Sequence, residues 1–169
     1  MSVEAIVDTN VAIVANGHAE HVGVDCQLAC VQQLILIQRG QRVCIDHSGL
    51  ILSEYRRYLS HSGQPGLGDA FFKWLWDNQA NIYVCDQVTI TPTNDGEQLF
   101  AEFPDDPALA RFDPSDRKFV AVARAHPAHP PIHNAVDTDW YQYQEALAAH
   151  GVVIIQVCPD NLRRLADRQ

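Results

Sequence analysis

Short apolar segments alternate with longer amphipathic segments along the whole chain, and this alternation limits the possible folds more than any other feature. The short segments predict strands, which fall at 5–7, 42–46, 82–84, 132–136 and 152–157. Because at least one helical segment separates each strand from the next, the strands are expected to run parallel. The pattern predicts a single α/β domain over residues 1–169, a three-layer arrangement with a mostly parallel sheet and helices on both faces.

The segments between the strands carry start and stop signals typical of helices. Asp25 can cap a helix over 26–39, which Gly40 ends, and Asp113 followed by Pro114 begins another that runs to about residue 126. Further helices are expected at 48–60, 69–79, 96–103, 140–150 and 159–167.

The composition is that of an ordinary globular protein, with 47% apolar and 20% charged residues. No apolar run is long enough to span a bilayer, and the first residues lack the pattern of a signal peptide, so a cytoplasmic protein is expected. The formal net charge of −9 argues against nucleic-acid binding through a broad basic face. It agrees better with a cluster of acidic metal ligands.

The cysteines are odd in number and lie mostly in apolar segments, which predicts reduced core residues. They are Cys26, Cys30, Cys44, Cys85 and Cys158. Cys26 and Cys30 are one helical turn apart and could hold a metal. No second Cys/His pair at ligand spacing accompanies them in that helix, so packing is the expected role.

The first predicted strand ends at Asp8, and Thr9 and Asn10 follow as good N-cap residues. In parallel α/β sheets, ligands bind in the crevice beyond the carboxyl ends of the strands, where Asp8 would lie. The alternative is that Asp8 only caps the following helix. Taken alone, the motif favours that alternative, and Asp8 gains weight only if other carboxylates reach the same edge.

Two more carboxylates lie on faces of helices that are predicted to point inward. Glu54 shares a face with Ile51 and Tyr58, and a buried acid is costly unless it is paired or bound to a metal. The alternative for Glu54 is an ion pair with Arg57. Asp116 can interact with the start of its own helix, but it shares a face with Val120 and is therefore expected inside. Asp113 is explained by its role as the helix cap alone.

Asp139 follows the fourth predicted strand and repeats the arrangement of Asp8. Asp137, two residues earlier, can point the same way, and either residue could be only a cap. Packed carboxylates repel one another unless a cation neutralises them. A group of acids without lysine partners therefore predicts Mg²⁺ or Mn²⁺, which activates water for attack on a phosphodiester. Nearby cations could form a local basic rim for a phosphate backbone: Arg56, Arg57, Arg117 and Lys118.

The segments around these acids resemble those of the PIN-domain nucleases over nearly the whole chain, from about residue 3 to residue 157. The resemblance is carried by Asp8-Thr9-Asn10, Ser53-Glu54-Tyr55, Asp116-Arg117-Lys118-Phe119-Val120-Ala121-Val122-Ala123, and Asp139 after a strand. It implies a five-stranded parallel sheet of order 3-2-1-4-5 and metal-dependent cleavage of RNA. It also implies that Asn10 orients Asp8, and that the catalytic metal ligands are Asp8, Glu54, Asp116 and Asp139.

Many members of that family are toxins of bacterial toxin–antitoxin pairs, often dimeric, so a small antitoxin and a homodimer are implied partners. Two departures stand out. Asp137 occupies a position where relatives often have Ser or Thr, which leaves open whether Asp137 or Asp139 is the main ligand. The segment 82–111 is longer than in minimal toxins, which weakens the toxin assignment more than the nuclease assignment.

The sequence thus predicts a ribonuclease that hydrolyses phosphodiester bonds by metal-activated water. The alternative is a PIN-like module that binds RNA or a protein without cleavage. A phosphatase with an aspartyl nucleophile is disfavoured, because that chemistry usually needs a second Asp where this chain has Asn10.

Overall fold

The computed structural model describes residues 3–93 and 99–169 of the chain. Its strands are β1 (Val3–Val7), β2 (Gln41–Asp46), β3 (Cys85–Val88), β4 (Ile132–Asn134) and β5 (Ile154–Gln156). They form one sheet of order β3-β2-β1-β4-β5 in which every neighbouring pair is parallel. The predicted fold class and strand order are both confirmed.

Eight α-helices connect and flank the strands within the described ranges. They are α1 (Thr9–Ala15), α2 (Val24–Gly40), α3 (Leu50–Tyr58), α4 (Leu67–Asn78), α5 (Arg117–Ala125), α6 (Thr138–Gln142), α7 (Gln144–Ala148) and α8 (Pro159–Ala166). Two 3₁₀ turns, Pro107–Leu109 and Pro114–Asp116, precede α5. None of these helices is long and apolar enough to cross a membrane.

The sheet is covered on both faces. Ala5, Ile6 and Val7 are consecutive in β1 and all at most 1% exposed, although alternate side chains of a strand point to opposite faces. The helices α1, α2 and α4 pack on one another, and α5 packs on β2 and β4. Two buried faces account for the continuous apolar runs, rather than alternating patterns, in the central strands.

Two aspartates fix the starts of the helices that carry site residues. Asp46, the last residue of β2, accepts hydrogen bonds of 2.8 Å from the backbone N–H groups of Leu50 and Ile51, which begins α3. Gly49, which lies between Asp46 and the first residue of α3, has a φ of 86°, a conformation that glycine adopts without strain. Asp113 accepts from the Ser115 N–H at 2.9 Å and begins the turn that leads into α5, as predicted.

The predicted strand at 82–84 is wrong. Ile82 and Tyr83 are exposed, and the chain turns there with a 3.0 Å hydrogen bond from the Val84 N–H to the Asn81 carbonyl. The third strand begins at Cys85, immediately after the predicted segment. Apolar composition alone misplaced the strand, because those two side chains project into solvent rather than pack in the core.

Two predicted helices also differ from the structure. The predicted helix over 96–103 lies partly outside the described residues. In its described part, Phe100 forms an antiparallel bridge with Pro92 and residues 101–103 form a turn rather than a helix. The predicted helix over 140–150 is two short helices, α6 and α7, that meet at Tyr143.

The prediction that the cysteines are reduced is wrong for two of them. A disulfide joins Cys26 in α2 to Cys158, the residue before α8. Cys30, Cys44 and Cys85 are free and buried. The bonded cysteines are separated by 132 positions. Neither their number nor their apolar surroundings in the sequence shows that the fold places the end of β5 beside the start of α2.

Candidate active site

Four carboxylates from four segments of the chain interact at the carboxyl edge of the sheet. We call Asp8, Glu54, Asp116 and Asp137 the acidic cluster. Asp8 follows β1 and Asp137 lies just beyond β4, and these two strands are neighbours. Asp116 ends the turn before α5, and Glu54 lies in α3. Negative charge on the other members of the cluster contributes to the raised pKa of Asp8 and of Asp116.

Asp8 is 4% exposed and is held in place by three donors. Its Oδ1 accepts from the backbone N–H and the side-chain amide of Asn10, at 2.8 and 2.7 Å, and its Oδ2 accepts from the Trp140 indole at 2.9 Å. Asn10 is itself anchored, because its Oδ1 accepts from the Ala135 N–H at 2.7 Å. Asp8 does cap α1, and it also faces the cluster, so the two alternatives are compatible.

Asp116 is 6% exposed, which confirms that it points inward. Its Oδ2 is buried and has no hydrogen-bond partner in the part of the chain that the structure describes. Burial first, and then the negative charges of Asp8, Asp137, Asp113 and Glu54, raise the pKa of Asp116 to about 10. The site therefore opposes ionisation of this carboxyl group unless a cation is present.

The same causes act on the neighbouring acids. Burial, followed by the charges of Glu54 and Asp137, raises the pKa of Asp8 to about 7, although the Asn10 and Trp140 hydrogen bonds oppose this rise. Burial also raises the pKa of Asp137, whose carboxyl group contacts that of Asp116. Asp8, Asp116 and Asp137 therefore all have raised pKa values, because they are buried close to one another without a paired cation among the described residues.

Asp137 and Asp139 have different surroundings. Asp137 accepts from the Asp139 N–H at 2.9 Å, which begins α6, and belongs to the acidic cluster. The Asp139 Oδ2 accepts from the Asp113 N–H at 3.2 Å, so this carboxylate borders the cluster beside the turn before α5. Asp137 therefore interacts with Asp116, whereas Asp139 interacts with the backbone of Asp113.

Glu54 forms an ion pair, but with Lys118 rather than with Arg57. Its Oε1 accepts from the Lys118 ammonium at 2.8 Å, and its Oε2 accepts from the Thr9 hydroxyl. Arg57, the partner considered for Glu54, makes no ion pair with it. No lysine or arginine among residues 3–93 and 99–169 pairs with Asp8, Asp116 or Asp137.

The predicted basic rim is only partly available. The Arg117 guanidinium donates to the carbonyls of Ala110 and Phe112, both at 3.2 Å, and lies over the Phe103 ring. Lys118 is paired with Glu54. Arg56 and Arg57 are exposed on α3, so of the four predicted rim cations these two remain available.

The donor set at the acidic cluster matches a hard divalent cation. Carboxylate oxygens are the ligands that Mg²⁺ and Mn²⁺ prefer, and the buried Asp116 Oδ2 lacks any other partner. Asp8, Asp116 and Asp137 carry oxygens of the required kind, but those oxygens do not all lie within 4.8 Å of one another, so the three side chains must close in to share one ion. Glu54 is already neutralised by Lys118 and is better suited to a position beside the ion.

Among the described residues, two groups of three potential ligands have donor atoms that all lie within 4.8 Å of one another, and the acidic cluster supplies neither of them. In the group Cys44, Asp86 and His126, the Nδ1 of His126 accepts from the Ala128 N–H at 3.0 Å, so its Nε2 carries the proton and donates to Asp86. That leaves the ring without a lone pair for a metal. In the group Cys26, Cys30 and Cys158, two of the sulfurs are bonded to each other.

Trp140 and Lys118 are the contacts of the cluster that sequence reasoning missed. The indole lies 132 positions from Asp8, and Lys118 lies 64 positions from Glu54.

Comparison of the chain with family models, with curated proteins and with solved structures finds no match in any of the three. The geometry of the cluster is therefore the basis for inferring a function.

Proposed function

We propose that this protein is a PIN-like, Mg²⁺- or Mn²⁺-dependent nuclease that hydrolyses phosphodiester bonds of RNA. The observation that carries the proposal is the buried Asp116 carboxyl group. One of its oxygens has no hydrogen-bond partner among the described residues, and the negative charges of Asp8 and Asp137 raise its pKa. The strand order of the sheet and the position of the cluster at its carboxyl edge support it. The choice of RNA over DNA rests on the family resemblance.

The residues of the site have separate roles in this proposal. Asp8, Asp116 and Asp137 hold the ion, and Asn10 and Trp140 fix the orientation of Asp8. A bound ion would supply activation of water and neutralise charge that develops on the phosphodiester. Asp139 borders these ligands, and its backbone N–H positions Asp137.

Lys118 is suited to contact a phosphate while it remains paired with Glu54. Its ammonium has three N–H donors, of which one binds Glu54 and one the Ser115 carbonyl. The third donor is left for a phosphate oxygen. Thr9 and Lys118 together fix the Glu54 carboxylate at the side of the cluster.

A cleavage assay tests the proposal. Purified protein should cut RNA in Mg²⁺ or Mn²⁺ and stop in EDTA, and Asp8→Asn and Asp116→Asn should abolish the reaction. Asp113→Asn is the matched control, because asparagine caps a helix as well as aspartate does. Cleavage that persists in EDTA, or in both site variants, would show that the acids are structural. DNA should be tested in parallel.

The second candidate function is a module that binds RNA or a protein without cleavage. The Lys118–Glu54 ion pair favours it, because an internal cation already neutralises one acid of the cluster. The cleavage assay with wild-type protein separates the two functions: a binding module should bind RNA and never cut it in Mg²⁺ or Mn²⁺, whereas a nuclease should cut it and lose part of that activity in Lys118→Met.

The toxin role, the antitoxin partner and the homodimer are predictions that come with the resemblance, and the cytoplasmic location is a prediction from the hydropathy of the sequence. Expression in bacteria tests the first of them. A toxin should arrest growth unless Asp116 is replaced by asparagine, and growth unaffected by the wild-type protein would contradict that role.

A further inference from the structure

A cavity of about 330 Å³ opens beside the acidic cluster, on the side of Glu54. This volume lies in the range of small-ligand sites. Its walls come from α3, from the Pro92–Phe100 bridge and from the start of α5. Glu54 and Lys118 line the cavity and also form the edge of the cluster, so the cavity and the cluster share these two side chains.

The walls of this side cavity are mostly apolar. Leu50, Pro92, Phe100 and Pro114 contribute them, and Phe100 is only 7% exposed, so its ring is held firmly by the surrounding structure. Aromatic and proline surfaces of this kind accept the flat face of an unpaired base, which stacks without regard to sequence. A base that is paired in a duplex cannot enter such a space.

A free cation also lines the side cavity. Arg57 is exposed and forms no ion pair with any residue that the structure describes. A guanidinium binds phosphate oxygens through two parallel hydrogen bonds. The whole chain has a net charge of −9 and repels a polyanion overall, so a phosphate contact here depends on local cations such as Arg57.

We propose that the side cavity holds one unpaired base of single-stranded RNA next to the phosphodiester at the acidic cluster, with Arg57 on an adjacent phosphate. The inference rests on the proposed nuclease function and specifies its substrate as single-stranded. The base stacks on the apolar walls, Arg57 holds the backbone, and the neighbouring phosphodiester reaches the cluster past Glu54 and Lys118.

Four variants test the side cavity. Ser53 lines it and is exposed on α3, so Ser53→Phe fills the space without entering the core, and Ser53→Ala removes the hydroxyl while leaving the space open. Arg57→Ala removes the cation. Arg39→Ala is its matched control, because Arg39 is exposed at the end of α2, just before β2, and does not line the cavity.

Binding of a labelled short single-stranded RNA is measured by fluorescence anisotropy, in the Asp116→Asn background so that the RNA stays intact. Ser53→Phe and Arg57→Ala should each raise Kd by about tenfold, a loss typical of one stacked base or one phosphate contact, and the two controls should not. An abasic strand with the same sugar-phosphate backbone should bind the protein weakly, because it has no base to place in the cavity. Its Kd should not change in Ser53→Phe. Duplex RNA should bind more weakly than the single strand.

Equal binding by all four variants would overturn the inference, even if the wild-type protein cuts RNA. The expected binding pattern in a protein that never cuts RNA would uphold the cavity and reject the nuclease function. If Ser53→Phe does not fold, as judged by circular dichroism, the comparison of Arg57→Ala with Arg39→Ala decides the outcome.

Discussion

At the scale of single residues, Asp116 is in the environment least compatible with an ordinary carboxylate. Asp116→Asn removes the ionisable group and keeps the shape, so it should raise the melting temperature of metal-free protein near neutral pH. It should also abolish the stabilisation that Mg²⁺ gives the wild-type protein. Calorimetry in EDTA and in Mg²⁺ measures both effects. A variant that Mg²⁺ still stabilises as much as wild type would remove Asp116 from the ligand set.

Trp140 is the second residue with a testable role, through its hydrogen bond to Asp8. Trp140→Phe keeps an aromatic ring against Phe112 but deletes the donor. Loss of a partner that orients a ligand typically weakens metal binding by about 10- to 100-fold. Titration calorimetry with Mn²⁺ measures the change. Unaltered affinity would mean that the indole serves packing alone.

The sequence allowed the acids to be predicted but not their partners. Asp8 and Asp137 follow strand ends, and Asp116 lies at the start of α5 at helical spacing from Val120, so each position can be deduced from local patterns. The Trp140 and Lys118 contacts depend on side chains from distant segments. Local periodicity carries no information about such pairs.

At the scale of elements, aspartate caps decide where the helices around the site begin. Asp113→Ala removes the cap of the turn before α5 and should lower the free energy of unfolding by about 1 kcal/mol. Asp46→Ala should cost more, because this buried carboxylate binds two backbone N–H groups and the Ser48 hydroxyl. Urea denaturation measures both changes. An equal or smaller loss for Asp46→Ala would contradict this ranking.

The elements themselves were predictable where apolar patterns and caps agree. For α5, the sequence Asp113-Pro114 and the following apolar face gave consistent signals. For β3 they conflicted, because Ile82 and Tyr83 are apolar yet lie in a turn after α4. Which apolar side chains remain in solvent depends on packing that the sequence does not display.

At the scale of the whole molecule, the acidic cluster links stability to pH. The pKa values of Asp8 and Asp116 rise from 3.8 to about 7 and about 10. Between about pH 4 and pH 7, and beyond for Asp116, the folded protein holds protons that the unfolded chain has released. Its free energy of unfolding must therefore fall as pH rises.

Metal-free protein should accordingly lose about 5 °C or more of melting temperature between about pH 5 and pH 8. The loss should be smaller in Asp116→Asn, and smaller in wild type with saturating Mg²⁺, because the ion replaces the missing positive charge. Differential scanning calorimetry in matched buffers measures it. A melting temperature that rises over this interval, equally in both proteins, would show that these acids are ionised without cost.

The global arrangement was predictable at two levels. Alternation of strands and helices indicated a parallel sheet with two covered faces, and the family resemblance supplied the strand order. The disulfide was not predictable, since pairing Cys26 with Cys158 requires knowledge of which ends of the fold meet.

That disulfide turns most of the polypeptide into a covalent ring with two short tails. A protease that cuts one exposed loop between residues 26 and 158 therefore cannot release a fragment. The nicked protein should migrate as one species without reductant and as two with it, and its halves should stay together through unfolding in urea. Cys158→Ser opens the ring, and the same nick should then yield separable fragments under both conditions.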